Sequence, residues 1–123
     1  MTRRPGFLLA ISALGILSVL LAACHSYHID STVENRTGAP VLLIEVDYPS
    51  ASFGVDRINT GADFHYRFQI RGSGPLTVSY TAPGDKAVHI TGPTLTEGQQ
   101  GRLQIVLLPG GKADFLPQFV SGR

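Results

Sequence analysis

Past residue 28 the polar and apolar positions alternate. In His28-Ile29-Asp30-Ser31-Thr32-Val33-Glu34, the residues Ile29, Ser31 and Val33 fall on one face. In the segment 41–48, Leu42, Ile44, Val46 and Tyr48 share a face, and Glu45 and Asp47 share the other. Phe64-His65-Tyr66-Arg67-Phe68-Gln69-Ile70-Arg71 is the clearest case, with four apolar or aromatic residues alternating with four polar ones. Successive side chains of a strand point to opposite faces, so this period predicts half-buried strands. Segments 76–81 and 87–91 repeat it, and 102–108 alternates before turning apolar on both faces. Residues 113–120 predict a last strand interrupted at Pro117. Proline has no N–H for the ladder, so that strand is expected at an edge or at a bulge.

Turn-forming residues separate these runs at short intervals. Asn35-Arg36-Thr37-Gly38, Asn59-Thr60-Gly61, Gly72-Ser73-Gly74-Pro75, Ala82-Pro83-Gly84-Asp85, Gly92-Pro93, Glu97-Gly98 and Pro109-Gly110-Gly111 all read as breakers. Glycine supplies positive φ and proline fixes the entry to a turn. Asn35-Arg36-Thr37 also fits a glycosylation sequon, and the expectation here is simply a turn. The segment 48–55 reads as a longer loop tipped by Tyr48, Pro49 and Phe53. Such a loop is a candidate partner contact, unless Phe53 folds back to close one end of the domain. About seven or eight strands at this spacing predict an all-β fold, an antiparallel β-sandwich. No helical period follows Cys24.

A weak echo links Ile58-Asn59-Thr60-Gly61-Ala62-Asp63-Phe64 to Leu95-Thr96-Glu97-Gly98-Gln99. It resembles the strand-turn-strand phrase of bacterial immunoglobulin-like and fibronectin-type domains, which implies an immunoglobulin-like sandwich. The chain has one cysteine and no tryptophan, so the Cys-Trp-Cys framework of an antibody-type domain is excluded.

The first residues follow another rule. Met1 to Gly6 supply a short positive end, and Phe7 to Ala23 are seventeen residues without a charge. The chain then turns polar at Cys24-His25-Ser26. A positive end, an apolar middle and small residues before a cut form the order of a secretory signal peptide. Leu21-Ala22-Ala23-Cys24 resembles the lipobox of bacterial lipoproteins at all four positions. The resemblance implies cleavage before Cys24 and a diacylglyceryl group on its sulfur, with a fatty acyl group such as palmitate on the new amino terminus. One fatty chain holds a protein only marginally and two signals anchor it, so a cysteine carrying two or three chains suffices. In lipoproteins of two-membrane cells an aspartate after the cysteine favours the inner membrane. Here that position is His25, which implies the outer membrane.

Two other readings of the segment are an uncut transmembrane anchor and a buried small cysteine. The position of Cys24 at the polar boundary, after two alanines, argues against both. Arg3-Arg4 also hints at twin-arginine export, but two residues separate the pair from Phe7 and no lysine follows Leu8. The expected organisation is a signal peptide over residues 1–23, a lipidated tether over 24–28 and a β-sandwich domain over 29–123.

Charge narrows the partners. Ten basic and nine acidic residues give net +1, and removal of residues 1–23 takes away Arg3 and Arg4, leaving net −1. A near-neutral domain lacks the basic footprint that binding nucleic acid requires. Membrane contact is therefore expected through the lipid, and protein contact with another envelope protein.

Candidate chemistry is sparse. His25, His28, His65 and His89 invite a metal, but a site needs three or four ligands in a held geometry. His65 and His89 fall on the polar faces of their strands, and the lone cysteine is assigned to lipid. Glu45 and Asp47 lie about 7 Å apart along a strand, a spacing that suits acid–base work but also any solvated sheet face. Ser50 and Ser52 lack a nucleophile elbow. The sequence thus points to a non-catalytic binding or structural module without a cofactor. The alternative is a periplasmic small-ligand or metal carrier that uses the surface histidines.

Overall fold

The computed structural model describes residues 27–120. They form eight strands: β1 (Ile29–Asn35), β2 (Val41–Tyr48), β3 (Ala51–Ile58), β4 (Asp63–Phe68), β5 (Gly74–Ala82), β6 (Lys86–Leu95), β7 (Gln100–Leu108) and β8 (Lys112–Val120). One sheet has the order β4-β1-β7-β8 and the other β3-β2-β5-β6. The all-β sandwich expected from the alternation is the observed fold. Neighbouring strands run antiparallel except β1 and β7, which are parallel, with Ile29 beside Gly101 and Asn35 beside Leu107. Cys24, the lipobox and His25 lie outside the described residues.

The core sits between the sheets. β1 contributes Ile29 and Val33 and β7 contributes Leu103, Ile105 and Leu107. They face Val41, Ile44 and Val46 of β2 and Leu76, Val78 and Tyr80 of β5. Full burial of each such aliphatic side chain stabilises by about 1.5–3 kcal/mol. Ser31, also inward on β1, is accommodated because its hydroxyl donates to the carbonyl of Tyr66 at 2.6 Å.

Three segments depart from the sequence reading. In β2 the inward set is Val41, Ile44 and Val46, while Leu42 and Leu43 are exposed. Leu42 was expected inward. The cause is an extra residue: Leu42 pairs with Thr81 and Glu45 with Ser79, so three steps on β2 match two on β5. This bulge puts Leu43 at φ 51° and leaves it 66% exposed. A bulge of this kind ordinarily takes glycine, because a side chain at positive φ crowds the following carbonyl.

The second departure is the expected loop at residues 48–55. The turn is only Pro49-Ser50, and the chain re-enters the sheet at Ala51. Phe53 pairs with Val46 and is 7% exposed, so the alternative in which it packs inward holds. Gly54 hides the strand in the sequence yet is required by it, since a Cβ there would lie 2.8 Å from the carbonyl oxygen of Ile44.

Third, Gly92-Pro93 does not break the chain but lies inside β6, and Pro117 lies inside a continuous β8. Both strands are edges of their sheets, where a missing N–H faces no partner. Phe115 covers the gap between these edges. Its ring occupies the space a side chain at residue 92 would need, 2.7 Å from an ideal Cβ. The opposite gap, between β3 and β4, is closed by aromatic rings. Tyr48 stacks on Phe68 with centroids 4.2 Å apart, and Phe53 stacks on Tyr66 at 4.4 Å.

At one end of the sandwich a single buried polar side chain joins the turns. Asn35 is 0% exposed. Its amide nitrogen donates to the carbonyls of Ala39 at 2.7 Å and Ile58 at 2.9 Å. Its amide oxygen accepts from the backbone N–H of Thr37 at 3.0 Å and the Thr37 hydroxyl at 2.7 Å. Its backbone bonds to Ala62 and Gly61 on the β3–β4 turn. The sequon asparagine is thus an internal clamp, with its nitrogen committed.

Asn35→Ala removes a donor from the buried Ile58 carbonyl and an acceptor from the part-buried Thr37 N–H, while Ala39 keeps the Thr37 hydroxyl. Denaturant unfolding should show a loss of about 1–3 kcal/mol. Asn35→Asp can keep the two accepted bonds but turns charge toward two carbonyl oxygens. Its folded pKa is raised, so its carboxyl favours folding below the unfolded pKa near about 4 and opposes it as pH rises. The deficit of Asn35→Asp relative to wild type should therefore widen between pH 4 and pH 7; an unchanged gap contradicts the clamp. Leu43→Gly removes the positive-φ strain of an exposed side chain and should raise stability by about 0.5–1 kcal/mol.

Candidate functional site

Four strands present the outer residues of the β4-β1-β7-β8 sheet. Alternation leaves Asp30, Thr32 and Glu34 of β1 on this face, with His65 and Arg67 of β4 and Arg102 and Gln104 of β7. A shallow groove of about 1000 Å³ runs across it and is completed by Leu116, Pro117 and Gln118 of β8. Its signal in the sequence was the polar half of each alternating run, which marks a solvent face without marking its curvature.

Cross-strand register sets the contacts. Thr32 lies opposite His65 and Asp30 opposite Arg67. The Thr32 hydroxyl meets His65 Nδ1 at 3.0 Å, and His65 Nε2 lies 3.5 Å from Asp63 Oδ1. Arg67 Nε is 3.6 Å from Asp30 Oδ1. Glu34 accepts from Gln104 at 3.1 Å and pairs with Arg36 at 2.8 Å. Arg102 makes no ion pair among the described residues and stands as an open cation near the middle of the groove.

Hydroxyl, imidazole and carboxylate occur in the order of an acyl-transfer triad, but the setting differs. β1 is paired on both sides, so its backbone N–H groups serve the ladders. Acyl transfer needs donors aimed at a developing oxyanion in a water-excluded site. This trio lies on an open sheet face. Its geometry suits recognition by charge and hydrogen bonding: mixed signs, rigid backbone and side chains free to exchange partners.

The sequence-derived candidates do not converge. His65 belongs to the sheet that contains β4 and His89 to the sheet that contains β6. His28 is held at the start of β1, where its carbonyl accepts from Gly101 at 3.1 Å. Among the described residues no group of three or more His, Cys, Asp or Glu is placed to hold a metal ion. Glu45 and Asp47 lie on the outer face of the other sheet, where Asp47 is 3.5 Å from the Thr77 hydroxyl. The candidate partner residues Tyr48, Pro49 and Phe53 form a tight hairpin rather than a protruding loop. Burial, and then the neighbouring Tyr66, push the Tyr48 phenol above the ordinary tyrosine range.

No helix among the described residues is long and apolar enough to cross a membrane. These features define the class: an eight-stranded β-sandwich with a polar, grooved outer face. No protein-family model matches the chain, and no curated protein matches it. A solved structure does, the NMR structure of a protein from Eubacterium rectale, at TM-score 0.54 and 15% identity. The match covers 74% of this chain and 89% of that one. At this identity the likeness is one of fold.

The ion pairs of the groove carry little stability. Asp30 and Arg67 are each 66% exposed in their side chains, and exposed pairs contribute about 0–1 kcal/mol. A double-mutant cycle on Asp30→Ala and Arg67→Ala should give a coupling below about 0.5 kcal/mol, and less in high salt.

Proposed function

We propose that this chain is a lipid-anchored cell-envelope protein whose β-sandwich acts as a non-catalytic binding or structural module. The observation that carries the reading is Leu21-Ala22-Ala23-Cys24, which closes the uncharged run that starts at Phe7 and precedes the first strand at Ile29. Two or three acyl chains on Cys24 supply anchoring that the near-neutral surface of the domain does not.

The topology gives such an anchor a direction. β1 begins beside Gly101 and ends beside Leu107. The end holding Ile29 also holds the Tyr48–Ala51 hairpin and the turn before β7. A lipid on Cys24 keeps this end near the bilayer. The other end, with Asn35 and the β5–β6 and β7–β8 turns, stands off by roughly the 23 Å length of β1. The expected hairpin contact at Tyr48 and Pro49 therefore faces the wrong way for a partner arriving from the envelope space. The groove over β4-β1-β7-β8 lies along the side of the body and is accessible in that orientation. Another envelope protein is the partner class that suits it, and the outer membrane is the proposed location.

Metabolic labelling with radioactive palmitate tests the anchor. The wild-type chain should take up label and partition with membranes, its mature form beginning at Cys24. Cys24→Ala should lose all label and remain unprocessed. A native protein that begins at Met1, or whose sulfur is unmodified, overturns the proposal.

A further inference from the structure

At the end of the sandwich remote from residue 29 lies a separate half-open cavity of about 230 Å³. Its walls come from the β1–β2 turn, the end of β5 and the β7–β8 turn, including Thr37, Ala39, Tyr80, Ala82, Leu108 and Gly110. No charged side chain lines it. Thr37 is engaged, since its hydroxyl lies 2.7 Å from Asn35 Oδ1 and 2.8 Å from the Ala39 carbonyl. Tyr80 differs. The residue is 4% exposed, and its hydroxyl makes no hydrogen bond to the described residues. No buried side-chain N or O among them lacks a partner, so this hydroxyl is one that touches solvent. Burial alone pushes its phenol above the ordinary range, with no charge or hydrogen bond assisting.

We propose that this cavity binds a small neutral molecule with an apolar body and one acceptor oxygen, which takes the hydrogen of the Tyr80 hydroxyl. Each property of the ligand follows from the walls. An ion entering a site without countercharge would lose its hydration for nothing. The apolar lining rewards a hydrocarbon body. An enclosed apolar cavity of about 150 Å³ accommodates benzene, so this half-open pocket has room for a six-membered ring with an added oxygen. The Tyr80 hydroxyl meets solvent, so a ligand that displaces that water has to replace its hydrogen bond, and a carbonyl oxygen does so. The site uses none of the histidines and none of the groove residues. It is also independent of the anchor, so its failure and that of lipidation are separable.

Amide NMR of the full chain in detergent micelles, titrated with cyclohexanone and separately with benzene, tests the assignment. Both probes should shift the amides of Thr37, Ala39, Ala82 and Gly110 and saturate. Tyr80→Phe keeps the ring and should weaken cyclohexanone about tenfold, the equivalent of one hydrogen bond, while leaving benzene unchanged. Ala82→Leu, which fills the space, should abolish both; retained amide dispersion checks that each variant is folded. Absence of saturable shifts at these amides overturns the site. Equal cyclohexanone affinity in wild type and Tyr80→Phe overturns the role of the hydroxyl.

Discussion

The amide of Asn35 is the constraint on which one end of the molecule depends. Two sheets pack through apolar side chains, and that attraction has no direction. It would tolerate sheets slid past each other by a residue or two. Asn35 removes this freedom. It ends β1, reaches the β1–β2 turn through Ala39 and Thr37, and reaches the last residue of β3 through the Ile58 carbonyl. Strands of both sheets are thereby tied at one point by directional bonds. In a buried site the alternative to these bonds is unpaired polar groups, so the clamp acts mainly by making other registers costly.

The remaining ordering comes from how the sandwich closes its sides. A two-sheet stack has four edge strands, and an exposed edge is a template for unwanted pairing. Here the two sides use different means. On the β3–β4 side, rings from both sheets stack across the opening, and Phe53 touches Tyr48, Phe64, Tyr66 and Phe68. On the β6–β8 side a proline sits in each edge strand, and Phe115 lies against Gly92. Prolines interrupt the row of donors that an incoming strand would need. The aromatic side is closed by packing and the proline side by missing hydrogen bonds.

These differences explain what the sequence disclosed. Alternation was legible where a strand is regular and half-buried, as in β1, β5 and β7, because a one-residue error would expose Ile29, Val78 or Ile105. It misled in β2 because a bulge changes the phase without changing composition, and Leu42 and Leu43 are apolar on either assignment. It missed β3 because an edge strand of Ser52, Gly54, Asp56 and Arg57 carries few β-formers, and its need for glycine at 54 comes from a neighbour's carbonyl. The parallel contact of β1 with β7 joins residues as far apart in sequence as Ile29 and Gly101 and leaves no local trace. Among candidate groups, Cys24 rests on a local motif and lies outside the described residues. Tyr80 was legible only as an inward residue. That a space lies before it depends on three turns meeting, which no single segment encodes.

Why the space stays open follows from those turns. A cavity in a deformable wall shrinks by relaxation, and its persistence measures the stiffness around it. The β1–β2 wall is fixed by Asn35 and Thr37. The other two walls carry Pro83 and Pro109, whose rings hold φ within a narrow range. Gly110 and Gly111, both at positive φ, give the β7–β8 turn no side chain with which to fill the gap. The clamp that sets the register of the sheets thus also props the cavity, and the rigidity that orders one end of the domain leaves it hollow. A pre-formed space of this kind demands little ordering from a ligand.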